Sequence, residues 1–198
     1  GFSNHSIRIR LVASNDLAHQ AGDGTLVVDG FDVIDDGVGF NDKNLASFQE
    51  AHTLSKVKVG GRGVGRFTFL KVFSSVHIRS VFKRDGKALL REFDFSIQDE
   101  LKGADTTSEV KEACGTHTSL RGMDEKFRAG WPTQPETIAE RIIAHFLIRF
   151  AARSCPPMTL ESPGHALIDL HALFQSTVLA HIQEQFFEVS GHTFALQA

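Results

Sequence analysis

The chain has 198 residues, 41% of them apolar and 23% charged, with a net charge of −3. That length holds one large domain, or one domain and the start of another, and the lack of a basic excess gives no electrostatic ground for a nucleic-acid partner. No apolar run approaches the roughly 18–20 residues of a membrane helix, no basic-then-apolar leader opens the chain, and Cys114 and Cys155 lack CxxC or histidine spacing, so they read as reduced thiols of a cytoplasmic protein.

Ile7, Ile9 and Leu11 alternate with Arg8, Arg10 and Val12, which predicts a half-buried strand with the two arginines as charges on its face. The chain meets this strand within a few residues of Gly1 and without an initiating Met, so it reads as an internal piece of a longer protein. Residues 14–24 are polar and glycine-bearing and read as a loop. Leu26-Val27-Val28 and Phe31-Asp32-Val33-Ile34 flank Asp29-Gly30. A type I′ turn needs positive φ at both central residues, so this dipeptide predicts a hairpin whose second arm ends at Asp35.

Asn41 caps a predicted helix over roughly 42–51, with Leu45 and Phe48 on its buried side. Residues 53–61 lack periodicity and read as a loop. A second helix opens at about Val64 and is apolar nearly all round, so burial is expected. Val76, Ile78 and Phe82 then mark a strand, Asp85-Gly86 a turn, and 88–97 a returning strand. Residues 98–112 read as a polar, exposed insertion before a third strand over 116–120. Thr133-x-x-Glu136 has the form of a capping box. The helix behind it, 134–152, places Ile138, Ile142, Phe146 and Phe150 on one face, with His145 partly buried among apolar residues. Strands are expected at 158–160, 166–170 and 186–196. The ten histidines show no H-x-x-x-H and no cysteine at zinc spacing, so no metal ligand is assigned among them.

Two glycine clusters carry the chemistry. Asp35 precedes Gly37-Val38-Gly39 at a strand end, where a carboxylate can accept from an exocyclic amine such as that of adenine and small residues admit a flat ring. Gly60, Gly61, Arg62, Gly63, Val64 and Gly65 stand directly before a helix, where free backbone N–H groups and the helix dipole favour an anion. Arg62, Arg66 and Lys56 add cations able to meet phosphate. The spacing is neither a P-loop nor a dinucleotide fingerprint, and kinase motifs such as H-R-D and D-F-G are absent.

Asp35-Asp36-Gly37-Val38-Gly39 resembles the first glycine box of the GHKL ATPases: gyrase, the ninety-kilodalton heat-shock chaperones, histidine kinases and MutL. Gly60 to Gly65 is similar to their second box, G-x-x-G-x-G. Thr53-Leu54-Ser55-Lys56 resembles the Thr-Ser-Lys of a MutL-type lid, and Gly115-Thr116 their Gly-Thr element. The resemblance implies an α+β fold, a two-layer Bergerat sandwich with helices on one face of a mixed, mostly antiparallel sheet, holding ATP with Mg2+ beneath a lid. It implies that Asp35 holds the adenine amine with support from Thr116, and that Gly37 and Gly39 shape the adenine pocket. Gly63, Val64 and Gly65 would give amides to the phosphates, and Lys56 would reach the terminal phosphate on lid closure. Asp36 stands where many relatives have Asn. The family's helix with a catalytic Glu and a magnesium-binding Asn is expected before Gly1, so catalytic residues are unknown within this chain.

The expected organisation is a GHKL-type ATP-binding domain over 1–132 and the beginning of a following α/β, transducer-like domain over 133–198. ATP hydrolysis in the longer parent would drive lid closure and a homodimerisation switch. The rivals are a histidine-kinase catalytic domain and a non-hydrolysing, nucleotide-regulated interaction module. A phosphoacceptor His upstream would favour the first, and an upstream helix without Glu the second.

Overall fold

The computed structural model describes residues 5–14, 27–49, 65–95, 101–178, 180, 184–189 and 192–197. In chain order the elements are β1 (Ile7–Ala13), β2 (Val28–Asp35), α1 (Asp42–Gln49), α2 (Gly65–Val72), β3 (Phe73–Arg84), β4 (Lys87–Phe95) and β5 (Ser108–Glu109). There follow β6 (Gly115–Met123), α3 (Glu125–Arg128), α4 (Pro135–His145), α5 (Leu147–Ala151), β7 (Met158–Glu161), β8 (Ile168–Asp169), α6 (Leu170–Thr177), β9 (Glu184–Val189) and β10 (His192–Gln197). Eight strands form one sheet in the order β5-β4-β3-β6-β2-β1-β7-β8, and β9 pairs with β10 separately. Every neighbouring pair of the large sheet is antiparallel except β1–β7. The chain is thus α+β with a mixed, mostly antiparallel sheet, the fold class expected from the sequence.

Side chains alternate across a strand, so register decides which residues share a face. Val76 pairs with Phe95 and Leu120, Ile78 with Phe93, and Leu120 in turn with Phe31, which faces Leu11. These residues line one face. Leu45, Phe48, Phe69 and Leu70 of α1 and α2 cover one end of it, and Ile138, Ile143, Leu170 and Phe174 of α4 and α6 the other. The opposite face is a ladder of polar pairs: the ion pairs of Glu161 with Arg8 and Arg10 and of Arg79 with Glu92 and Glu112, and the hydrogen-bond contact of His77 with Asp94. Helices on one side and charges on the other make a two-layer sandwich.

That open face contains one nearly buried carboxylate. Asp32 Oδ1 accepts from Arg121 at 2.6 Å and from Ser119 at 3.0 Å, and lies 3.1 Å from His117 Nε2. Burial opposes ionisation of Asp32, but the hydrogen bonds from Arg121, His117 and Ser119 outweigh it and hold the carboxyl below its ordinary value. The unfolded chain therefore takes up a proton on Asp32 before the folded one does. The network's contribution is fully present above about pH 3.8 and is lost as pH falls from there through the folded pKa. Asp32→Asn is expected to cost about 1.5–3 kcal/mol at neutral pH, as for hydrogen bonds to a charged group. Urea midpoints should show this gap to wild type narrowing in acid, and a pH-independent gap would refute the assignment.

Several sequence expectations give way. Asp29-Gly30 is no turn: it lies inside β2, where the pairing with β1 shifts register between Val12–Gly30 and Ala13–Val28. A Cβ at Gly30 would run into the Leu120 carbonyl oxygen, so the glycine serves a close strand approach. Asp29 accepts from Arg128 at 2.7 Å and from the Gly122 N–H at 3.2 Å. The capping box is not used: Pro135 opens α4, Gln134 is the N-cap, and no side chain caps it. The long helix breaks at Phe146 into α4 and α5, which leaves Leu147 and Ile148 exposed and Phe150 buried. His145 is exposed at the end of α4, its ring 4.7 Å from that of Phe146.

Residues 101–112 are not a free insertion. Ala104 is buried, Lys102 bridges to Asp94, and β5 pairs with β4. The expected strand over 166–170 shrinks to β8. Asp169 then caps α6 by accepting from the His171 and Ala172 N–H groups. Within α2, Phe69, Leu70 and Val72 are only half-buried and Thr68 and Lys71 are exposed, short of the burial expected. Other expectations hold: Asn41 accepts from Asn44 N–H as the α1 cap, Asp85-Gly86 form the β3–β4 turn with φ of 52° and 78°, and both cysteines are free thiols. Beyond residue 132 the described chain continues into α4, β7 joins the large sheet beside β1, and α4, β7 and α6 share a core with β1 and β2.

Candidate functional site

The candidate site begins where β2 ends. Asp35 is its last residue and pairs with Ile7 on β1 and Thr116 on β6. The alternation that turns Phe31 toward the core places Asp35 and Thr116 on the helix-covered face. Asp35 Oδ1 accepts from the Gly37 N–H at 2.8 Å, which folds the chain back over the strand end.

The next residues are held from three sides. Gly39 is buried with φ of +73°, and a Cβ there would collide with the Val81 carbonyl oxygen of β3. Its own carbonyl accepts from Asn44 Nδ2 of α1 at 2.7 Å. The Phe40 N–H donates to Ser80 Oγ of β3 at 2.8 Å, and the Phe40 carbonyl accepts from Arg91 of β4 at 2.5 Å. Below, the Phe40 ring meets Phe48 and Phe93 edge-on at 5.3 and 5.6 Å. The 35–41 loop is therefore a fixed element built on β3, β4 and α1.

Arg91 has a side chain only 4% exposed. Its guanidinium also donates to Asp42 at 2.8 Å and lies 4.7 Å from the centre of the Phe82 ring. Asp42 is exposed. The Arg91 hydrogen bond, opposed by slight desolvation and helped by Arg84, holds its carboxyl below the ordinary value. Asp36 points the other way and accepts from the Ser6 N–H at 2.6 Å and the Ser6 hydroxyl at 2.9 Å. The Ser6 backbone bond is the chief reason its carboxyl is also held low, and it ties the glycine loop to the start of β1.

Thr116 is buried beside Ser80, with the two hydroxyl oxygens 3.1 Å apart. A cleft of about 490 Å3 opens at these strand ends, lined by Asp35 and Thr116 together with Arg8, Ile34, Arg79 and His117. Those four lie on the open face by register, so the cleft wraps around the strand ends.

Of the residues singled out in the sequence, the structure brings together Asp35, Gly37, Gly39 and Thr116. Gly65 opens α2, so a helix does follow the second glycine cluster. Lys56, Gly60, Gly61, Arg62, Gly63 and Val64 lie outside the described residues, as do Thr53 and Ser55. Sequence reasoning missed Asn44, Ser80 and Arg91. Their signal was parity: Ser80 and Arg91 occupy core-facing positions in strands whose other core-facing residues include Val76, Ile78, Phe93 and Phe95.

No family model matches the chain, and no curated protein does. Among solved structures it is similar to the ATPase domain of Aquifex aeolicus MutL complexed with ADP, at 14% identity and a TM-score of 0.48. The match covers 92% of this chain and 64% of that one, so the chain spans less than two thirds of that structure's length. Among the described residues no three His, Cys, Asp or Glu converge to hold a metal ion, so the expected magnesium is assigned no ligand. No helix among them is long and apolar enough to cross a membrane.

Proposed function

We propose that this chain binds ATP, with the adenine amine donated to Asp35 and the phosphates carried by the second glycine cluster. The observation that supports this most is the rigid placement of Asp35. A carboxylate at a strand end, with Thr116 beside it in register, is bordered by a loop tied down by Ser80, Asn44 and Arg91. A preorganised acceptor binds with little ordering cost and rejects groups that cannot donate. Gly37 and Gly39 present no side chain to a flat base. Gly60, Gly61, Arg62, Gly63, Val64 and Gly65, with Lys56 from the lid, would meet the phosphates at the N-terminus of α2.

In the full-length protein, residues 1–132 would form the nucleotide-binding domain, and the segment from 133 would begin the part that passes closure onward. α4, β7 and α6 share a core with β1 and β2, so a change at the site has packed elements through which to act. ATP hydrolysis would then drive lid closure and homodimerisation, with magnesium held by residues outside those described here.

The test is ATP affinity of the full-length protein and of Asp35→Asn, measured by calorimetry. Replacing the carboxylate by an amide should weaken ATP binding by about 1.5–3 kcal/mol, the range for a hydrogen bond to a charged group. That is roughly a ten- to hundredfold rise in Kd. An unchanged affinity would remove Asp35 from the adenine site.

A further inference from the structure

Ser80 is wholly buried, on the core-facing side of β3, between the glycine loop and Thr116. Its hydroxyl oxygen has three partners: the Phe40 N–H at 2.8 Å, the Gly115 carbonyl at 3.1 Å and Thr116 Oγ1 at 3.1 Å. A serine hydroxyl offers one proton and two lone pairs. The Phe40 N–H can only donate, so it takes one lone pair. The Gly115 carbonyl can only accept, so it takes the proton. One lone pair remains, and Thr116 satisfies it only by donating its own proton. No other assignment satisfies all three contacts, and a buried polar group left unmatched is costly.

We infer that Ser80 is a positioning residue that turns the Thr116 hydroxyl into an acceptor toward the nucleotide site, and so sets base specificity there. The inference rests on the ATP reading above and deepens it. With its proton committed to Ser80, Thr116 presents only lone pairs. Asp35, its register partner on β2, also offers acceptor oxygens, one of which takes the Gly37 N–H. Two acceptors side by side suit a base edge that carries an exocyclic amine. They oppose a base that carries a carbonyl at the same position, because two acceptors then face each other with no proton between them. Removing the Ser80 hydroxyl frees Thr116 to rotate its proton toward the ligand, and the opposition to a carbonyl is relieved.

The experiment compares ATP with inosine triphosphate, which has a carbonyl in place of the adenine amine, by calorimetry on the full-length protein. Wild type is expected to prefer ATP by tenfold or more. Ser80→Ala should bring that preference down several-fold, chiefly by gaining affinity for inosine triphosphate relative to ATP. Ser80→Cys, close in shape and with only a weak S–H donor, should move the same way and carries the test if the alanine variant does not fold. In a Thr116→Val background the Ser80 substitution should leave the ratio where Thr116→Val alone puts it. A merely structural role would lower both affinities together and leave the ratio fixed. ATP binding by wild type with an unchanged ratio in the Ser80 variants, or with no preference at the outset, overturns the inference alone. Failure of wild type to bind ATP overturns the nucleotide reading and the inference with it.

Discussion

Gly39→Val is expected to remove ATP binding and to lower the stability of the protein by roughly 3–5 kcal/mol. Two costs combine. At φ of +73° a β-branched residue is strained. The added Cβ would also collide with the Val81 carbonyl oxygen and sit 2.9 Å from Ser80 Oγ. Val81 lies in β3, paired on both sides, so its backbone has little freedom to give way. The loop must therefore lift off β3, breaking the Phe40–Ser80 and Asn44–Gly39 bonds that hold Asp35's neighbours in place. Overpacking costs about 1–3 kcal/mol and backbone strain about 1–3 more, a large share of a typical 5–15 kcal/mol total. The control is Gly86→Ala, which has almost the same φ, +78°, with nothing within 4 Å of the new Cβ. That variant should lose only the strain cost and keep ATP affinity. Urea denaturation of both separates conformational strain from collision, and a Gly39→Val protein as stable as Gly86→Ala would refute the close-packed loop.

The contrast between these two glycines explains much of what was legible in the sequence. Asn41, Asp85-Gly86 and the turn after Asp35 are local devices, each complete within four or five residues, so spacing alone reveals them. Asp29-Gly30 carries the same two residues as Asp85-Gly86 and means something else. Its outcome is set by β6, which is some ninety residues away in the chain and contributes the Leu120 carbonyl that Gly30 must pass. Nothing within reach of the dipeptide encodes that neighbour. Thr133 failed as a cap for a local reason, because Pro135 has no N–H and prefers the first helical position, which moves the start one residue on. α6 was hidden because Ile168 and Leu170 alternate like a strand, while the deciding bonds run from Asp169 to the next turn.

The candidate site divides along the same line. Asp35, Gly37 and Gly39 were legible because a carboxylate and two glycines at that spacing form a turn by themselves. What makes the turn rigid was not. Ser80 and Arg91 come from β3 and β4, and each contacts Phe40 only once the sheet has assembled. Polar residues at core-facing positions of an apolar strand were the available trace, and such positions conflict with binary patterning unless a polar partner is waiting. Here the partners are backbone groups of the glycine loop.

Gly30→Val, in the middle of the sheet, should separate stability from binding. Gly30 is buried, pairs with Val12 on β1, and lies against Leu120 and Arg121 of β6. A Cβ there would strike the Leu120 carbonyl and stand 3.2 Å from Arg121 Cα, both backbone atoms that cannot rotate aside. β2 must move away from β6, which strains the ladder and the bonds of Asp29 to Arg128 and the Gly122 N–H. The expected cost is about 3–5 kcal/mol, at the upper end for single substitutions and of the overpacking kind. For a chain of this length each kcal/mol lowers Tm by roughly 2–4 °C, so a fall of about 6–20 °C should appear by calorimetry. Asp35 lies at the far end of β2, and its own loop is held by β3, β4 and α1. ATP affinity measured well below Tm should therefore stay within about threefold of wild type, because substitutions without shared partners act nearly independently. A Tm within 2 °C of wild type would contradict the close approach of β2 and β6. Loss of ATP binding in a folded Gly30→Val protein would instead show that the glycine loop depends on the position of β2 as a whole, and not only on the three clamps at its end.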